Sequence, residues 1–288
     1  MRVALVTWKE LPGLSDDDRE LIAPLARRGI AVVPAVWNDP AVRWSEFDAS
    51  VVRSTWDYYR HPAEFLAWTH TVGATGRLWN PGDVLRWNSH KSYLRDLAAR
   101  GVPVVPTRFC PDLDSALAVL RRENWPRAVL KAAVSAGGFR TYLVDRSALT
   151  SGKPPWIDAP PIGELMVQPY EEEVERSGER SLVFFQGSYS HAFVRAPKLA
   201  PGSPLVEGAP TRPTPGQLEI ARRTVSAAPA PTLYARVDLV AGADGEAKVM
   251  ELEVIEPALE LRTAPGAAER FAEAIASVAG RNAQIDGT

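Results

Sequence analysis

The hydrophobic pattern of the chain changes character once. Up to about residue 85, short apolar runs alternate with helical segments; after about residue 125, alternating runs follow one another as β-hairpins. "RVALVTW" has the near-continuous apolarity of a strand covered on both faces. Ser15, with Asp18 three positions on, marks a capping box for a helix over "DDDRELIAPLARRG", which Gly29 ends. "IAVVPAVW" and "ASVVRST" are the next strands, and Pro62 opens a helix in which Phe65, Leu66 and Thr69 fall at helical spacing. Strand–helix–strand alternation predicts an open parallel sheet and an α/β lobe over residues 1–85.

Further on, "NSHKSYLRDLAARG" reads as a helix carrying Lys91 and ending at Gly101, followed by a strand "VPVVPT" and a helix "DLDSALAVLRRE". The hairpin region comprises "RAVLKAAVSAGGFRTYLV", "ELMVQPY", "SLVFFQGSYSHAFVR" and "LYARVDLVAGADGEAKVMELEVI". The Pro- and Gly-rich stretch 196–216 reads as a long mobile loop, and "PGAAERFAEAIASVAG" as a closing helix.

Composition narrows the function. A net charge of −2 leaves no basic footprint for nucleic acid. Cys110 is the sole cysteine, which rules out an intramolecular disulfide and a cysteine metal cluster. The apolar start is too short for a signal peptide and no stretch has membrane-span length, so a cytoplasmic protein without membrane partners is expected.

Two stretches carry chemistry. In residues 129–144, Lys131 ends a strand and Ser135, Ala136, Gly137 and Gly138 follow. That is either a bare hairpin or a loop whose N–H groups close over phosphates beside a fixed positive charge. In residues 233–255, a turn at Asp244-Gly245 pairs 243 with 246. Asp238 then faces Glu251, Arg236 faces Glu253, and alternation puts all four on one side of the sheet. Facing carboxylates repel unless a cation lies between them, so the face is either a Mg2+ site or a solvated polar surface. Arg195, with Lys198 nearby, ends a strand, and His191 sits within it, a position where a lone histidine is ordinarily structural. "RSTWDYYRHP" follows a strand at the carboxyl edge of the first sheet, where open α/β sheets bind ligands. Arg53, Ser54, Thr55 and Asp57 there read as an amino-acid-binding group or as a turn and helix start.

In order and spacing, Lys91, Lys131 with its small-residue loop, "MVQPY", "GERS", Arg195 and the Asp238/Glu251/Glu253 hairpin resemble the ATP-grasp ligase superfamily, which includes glutathione synthetase and D-alanine–D-alanine ligase. The resemblance runs from about residue 85 to 280 and implies two lobes clasping ATP, over 86–167 and 168–288, behind the N-terminal α/β domain. By that resemblance Lys91 and Lys131 bind phosphates and the Ser135, Gly137 and Gly138 loop covers them. Gln168, Pro169 and Tyr170 form the hinge beside adenine, and Glu179 reaches the ribose. Arg236 and Arg195 act on the transferred phosphate, and Asp238, Glu251 and Glu253 hold two Mg2+ or Mn2+ ions. Two departures stand out: Glu253 where Asn is common, and Ala132 where Pro often follows the lysine. The "RSTWDY" and "NPGDVLRWNSHKSYLRDLAARGVPVVPT" blocks are most similar to a bacterial branch that cyclises O-ureido-D-serine. The implied enzyme is an ATP- and Mg2+-dependent carbon–nitrogen ligase acting on a small amino-acid-like molecule, with a homodimer as the expected assembly. The residue pattern does not exclude an intermolecular amino acid ligase; the intact lysines and facing carboxylates argue against the other alternative, a nucleotide-binding module without ligase activity.

Overall fold

The computed structural model describes residues 1–150, 163–196, 208–242 and 245–285. In the N-terminal lobe, strands β1 (Arg2–Thr7), β2 (Ala31–Val36), β3 (Ala49–Ser54) and β4 (Leu78–Trp79) form a parallel sheet ordered β2-β1-β3-β4. The single helix expected after Ser15 is two: α1 (Asp16–Arg19) and α2 (Ile22–Arg27). Pro24 has no N–H and its ring crowds the Glu20 carbonyl, so a continuous helix cannot pass. Ser15 Oγ accepts from the Asp18 N–H at 3.1 Å as expected. The Asp18 side chain, however, turns inward to Arg53. Helix α3 (Pro62–Gly73) buries Phe65, Thr69 and Val72 against the sheet.

The second lobe holds α4 (Gly82–Asn88), α5 (Tyr93–Ala99), β5 (Arg108–Cys110), α6 (Leu113–Arg122), β6 (Arg127–Ala132), β7 (Thr141–Asp145), α7 (Arg146–Thr150) and β8 (Leu165–Pro169). Its antiparallel sheet runs β5-β8-β6-β7. Lys91 is not on a helix. It lies in the turn before α5, where its N–H donates to the Ala133 carbonyl at 2.8 Å. "VPVVPT" is not a strand either: Pro103 and Pro106 remove ladder donors, leaving one bridge between Val104 and Val249.

The third lobe contains α8 (Glu173–Ser177), β9 (Glu179–Phe185), β10 (Ser188–Arg195), β11 (Ala209–Thr211), α9 (Pro215–Ser226), β12 (Tyr234–Ala241), β13 (Ala247–Glu253) and α10 (Ala267–Ile285). Its antiparallel sheet is ordered β11-β10-β9-β12-β13. Residue 168, the expected lobe boundary, falls within β8. The mobile loop expected over 196–216 is partly structured: β11 pairs with β10, and α9 starts at a capping box of Thr214 and Gln217. Residues 197–207, with Lys198, lie outside the described residues.

Helix α10 ties the lobes together. Phe271, Ile275 and Val278 pack in one core with Val3, Leu5 and Val51 of the first sheet and Val183, Phe185 and Tyr234 of the third. Buried Asn80 bridges the same junction, donating to the carbonyls of Tyr234 (2.9 Å) and Val254 (2.7 Å) and accepting from the Leu233 N–H. Among the described residues, no helix is long and apolar enough to cross a membrane.

Candidate functional site

The β12–β13 hairpin aligns Arg236 with Glu253 and Asp238 with Glu251, the register expected at these residues. Nearer the turn the register differs. Leu239 pairs with Val249 and Ala241 with Ala247, so Met250 is an extra residue, a bulge beside the acidic pairs. The turn residue Asp244 lies outside the described residues. The outer edge of β13 is closed by residues of the second lobe. Asn88 donates to the Leu252 carbonyl at 2.8 Å, Tyr93 Oη accepts from the Leu252 N–H at 3.1 Å, and the Val105 N–H reaches the Val249 carbonyl at 3.0 Å. Both flanks of the acidic face are therefore fixed.

Carboxylate oxygens of Asp238, Glu251 and Glu253 lie within 4.8 Å of one another. Repulsion among them is offset by interleaved cations. Asp238, 1% exposed, accepts from Arg236 Nε (2.9 Å) and Nη2 (2.8 Å) and from Ser181 Oγ (2.6 Å). Arg195 stands 3.5 Å from it. Arg236 also donates to Glu253, and Lys91 donates to Glu251. Burial alone would raise the Asp238 pKa, but Arg236 and then Arg195 outweigh it and hold it below the usual range. Burial likewise opposes ionisation of Glu251, and Lys91 followed by Lys131 reverses the sign. Glu253 goes the other way: burial, added to the charges of Glu251 and Asp238, overcomes Arg236 and raises its pKa. Three clustered hard oxygen donors suit Mg2+ or Mn2+.

Lys131 is the penultimate residue of β6, opposite Thr141 and Met166. Burial, reinforced by the Lys91 charge, lowers its pKa even though Glu251, Glu179 and Asp238 pull the other way. Glu179 pairs with Arg195 across β9 and β10. Burial, with Asp238 next, lifts its carboxyl to about 7. In residues 129–144, β6 and β7 form a hairpin, joined by the small-residue loop 133–140. Gly137 and Gly138 adopt φ of 59° and 80°, which glycine tolerates without a Cβ penalty. Ser135 Oγ is turned inward, donating to the Ala132 carbonyl at 3.2 Å. At the end of β8, Gln168 donates to Thr107 Oγ1 (2.8 Å) and the Tyr170 hydroxyl donates to Glu175 (2.9 Å). Pro169 pairs with Ala128.

Several contributors escaped the sequence reading. Ser181 faces Asp238 from β9; the "GERS" stretch contains it, but without the sheet order its contact with Asp238 has no sequence signal. Val129, Leu143 and Met250 pack with Val105, Tyr170 and Val240 as an apolar cluster beside the expected hinge. The carboxyl of Glu256 is held well above its usual pKa by burial and then by Glu253. Its signal is a third glutamate closing "ELEVIE".

The N-terminal group is placed differently from the charged cleft residues. Arg53, 2% exposed, donates to Asp18 Oδ1 (2.8 Å) and to the Pro257 carbonyl (2.9 Å). Ser54 donates to the same Asp18, and Asp57 accepts from Trp37 Nε1 at 2.8 Å. Thr55 Oγ1 and Arg53 Nη1 are buried without a hydrogen-bond partner. The structure thus ties Arg53, Ser54 and Asp57 into lobe packing and leaves Thr55 with its hydroxyl unspent. His191 is structural: its Nε2 meets the Leu259 carbonyl at 2.7 Å, and burial depresses its pKa to about 4.

Comparison with known proteins agrees with this arrangement. The profile "D-cycloserine synthetase DcsG, N-terminal domain" matches residues 3–80. The cycloserine biosynthesis protein DcsG of Streptomyces lavendulae is 34% identical over 291 residues, covering 95% of this chain and 97% of that protein. The chain belongs to the D-cycloserine synthetase family. The crystal structure of D-cycloserine synthetase DcsG superposes with a TM-score of 0.83 at 32% identity, covering 96% of this chain and 99% of that one. Two more distant structures share the fold. A RimK-domain ATP-grasp protein of Sphaerobacter thermophilus gives a TM-score of 0.70 at 21% identity, over 96% and 99% of the two chains. The D-alanine–D-alanine ligase of Bacillus anthracis gives 0.66 at 15% identity, over 99% of each. This member of the D-cycloserine synthetase family is accordingly an enzyme, a ligase with the ATP-grasp fold, and that fold implies use of ATP.

Proposed function

We propose that the enzyme activates the carboxylate of O-ureido-D-serine with ATP and closes the molecule on itself to give D-cycloserine. The observation that carries this reading is the buried cluster in which Lys91, Lys131, Arg195 and Arg236 interleave with Asp238, Glu251 and Glu253, in a chain of this family. No side-chain nucleophile is needed, because phosphoryl transfer is catalysed by positioning and charge stabilisation.

In this reading the substrate carboxylate oxygen attacks the γ-phosphorus and ADP leaves. The nitrogen bonded to the side-chain oxygen then attacks the acyl carbon, and phosphate departs with the former carboxylate oxygen. That nitrogen sheds its proton, and the carbamoyl it carried is lost by hydrolysis, since D-cycloserine lacks it. Lys91 and Lys131 meet the ATP phosphates, and Arg236 and Arg195 hold the transferred phosphoryl group. The apolar cluster of Val129, Leu143 and Met250 beside Gln168, Pro169 and Tyr170 receives the adenine, and Glu179 the ribose. Asp238, Glu251 and Glu253 would hold Mg2+ or Mn2+, which neutralises phosphate charge when bound. Thr55, with its unspent hydroxyl, is the member of the N-terminal group best suited to touch the substrate. Tethering nucleophile to electrophile supplies high effective molarity.

The test is phosphate release with O-ureido-D-serine alone, with pairs of amino acids, and with neither. Release in the first arm alone, accompanied by the ring product, is expected. Release that requires two amino acids would replace cyclisation with intermolecular ligation.

A further inference from the structure

The loop over residues 133–140, between β6 and β7, leans on the N-terminal lobe rather than standing free. Ala136 packs against the core that contains Val52, Tyr58 and Ile255. Phe139 is 39% exposed, an unusual site for a large apolar ring, and meets Tyr59 with 4.8 Å between centroids and the planes tilted by 39°. Guanidinium groups cap the pair on both sides: Arg60 lies 5.6 Å from the Tyr59 ring and Arg140 5.1 Å from that of Phe139. Gly137 and Gly138 precede this contact in the left-handed region, with open space where a Cβ would stand. The loop therefore has a pliable stem and an aromatic tip seated on the segment that follows β3.

We infer that Phe139 and Tyr59 are positioning residues that latch this loop onto the N-terminal lobe and keep water from the acyl phosphate, an inference that rests on the ligase reading above. Water entering the cleft would attack the acyl carbon, expel phosphate and restore the carboxylic acid, spending ATP without forming a ring. A latch that joins the loop to the 53–60 segment closes the cleft from the substrate side.

The experiment has two readouts. Trypsin cleavage after Arg140 in the ligand-free enzyme reports loop opening; phosphate released per ring formed reports coupling. Phe139→Ala and Tyr59→Ala are each expected to speed cleavage about two- to tenfold, the weight of one aromatic pair, and to raise the phosphate-to-product ratio at least about twofold above one. Tyr59→Phe keeps the ring and should behave as wild type, while the double alanine variant should add little to either single. Unchanged cleavage in both alanine variants overturns the latch whatever the enzyme makes. Faster cleavage with a one-to-one ratio overturns its water-excluding role. Faster cleavage in a protein that consumes no ATP with any substrate supports the latch and removes the ligase reading instead.

Discussion

Lys131 and Asp238 show at single residues how a buried charge can be left unsupported or be compensated by its neighbours. Asp238 is buried but receives hydrogen bonds from Arg236 and Ser181, so its ionised form is well supported. Lys131 is buried with its pKa lowered by burial, so its charge opposes folding. Lys131→Met should leave the melting temperature equal or higher, yet weaken nucleotide binding at least about tenfold through the lost phosphate contact; a thermal melt checks the first and calorimetric titration with ATP the second. The acidic residues should separate likewise. Asp238→Asn leaves Arg236 undercompensated in a buried site and should cost about 3 kcal/mol. Glu253→Gln removes a carboxylate whose pKa is raised and should cost less than about 1 kcal/mol or gain stability. Both should lose ligase turnover. Urea denaturation of the two variants side by side measures the difference, and equal losses would contradict this account of the charges.

At the scale of elements, the β12–β13 hairpin was the most legible part of the site. The pairing of Asp238 with Glu251 agrees with the register extrapolated from the turn because the Met250 bulge cancels a one-residue offset nearer the turn. The bulge at Met250 was not legible, since it is set by the second lobe's Val105 and Asn88 gripping the outer edge of β13. The first sheet was equally readable, while the break between α1 and α2 needed the weight of Pro24, and Lys91 left its helix because Ala133 claims its N–H. Helix α9 is masked in the sequence by the prolines before it, although the Thr214–Gln217 capping box marks its start. Thr214→Ala tests the value of that box: a loss of about 1 kcal/mol is expected from urea unfolding, and no loss would mean α9 is held by packing alone.

For the whole molecule, the seam between the first and third lobes is built from groups whose partners are far off in sequence, so the packing role of Arg53 is not legible in "RSTWDY" alone. Its partners Asp18 and Pro257 are visible only once the lobes meet. Arg53→Met strands a buried carboxylate and should cost about 3–5 kcal/mol, seen as a marked fall in melting temperature; an unchanged melting temperature would contradict a structural role. His191 makes the same seam sensitive to acid. Unfolded, it takes a proton below its ordinary 6.5; folded, not until about 4. The unfolded state therefore binds more protons in that window, and stability falls with falling pH, by up to about 3 kcal/mol from this group. His191→Gln should flatten the pH dependence of the urea midpoint relative to wild type between these limits. The central claim, that this architecture activates a carboxylate as acyl phosphate, is tested most directly with O-ureido-D-serine carrying 18O in its carboxylate. One labelled oxygen should appear in the phosphate released per ring formed; unlabelled phosphate accompanying ring formation would contradict it.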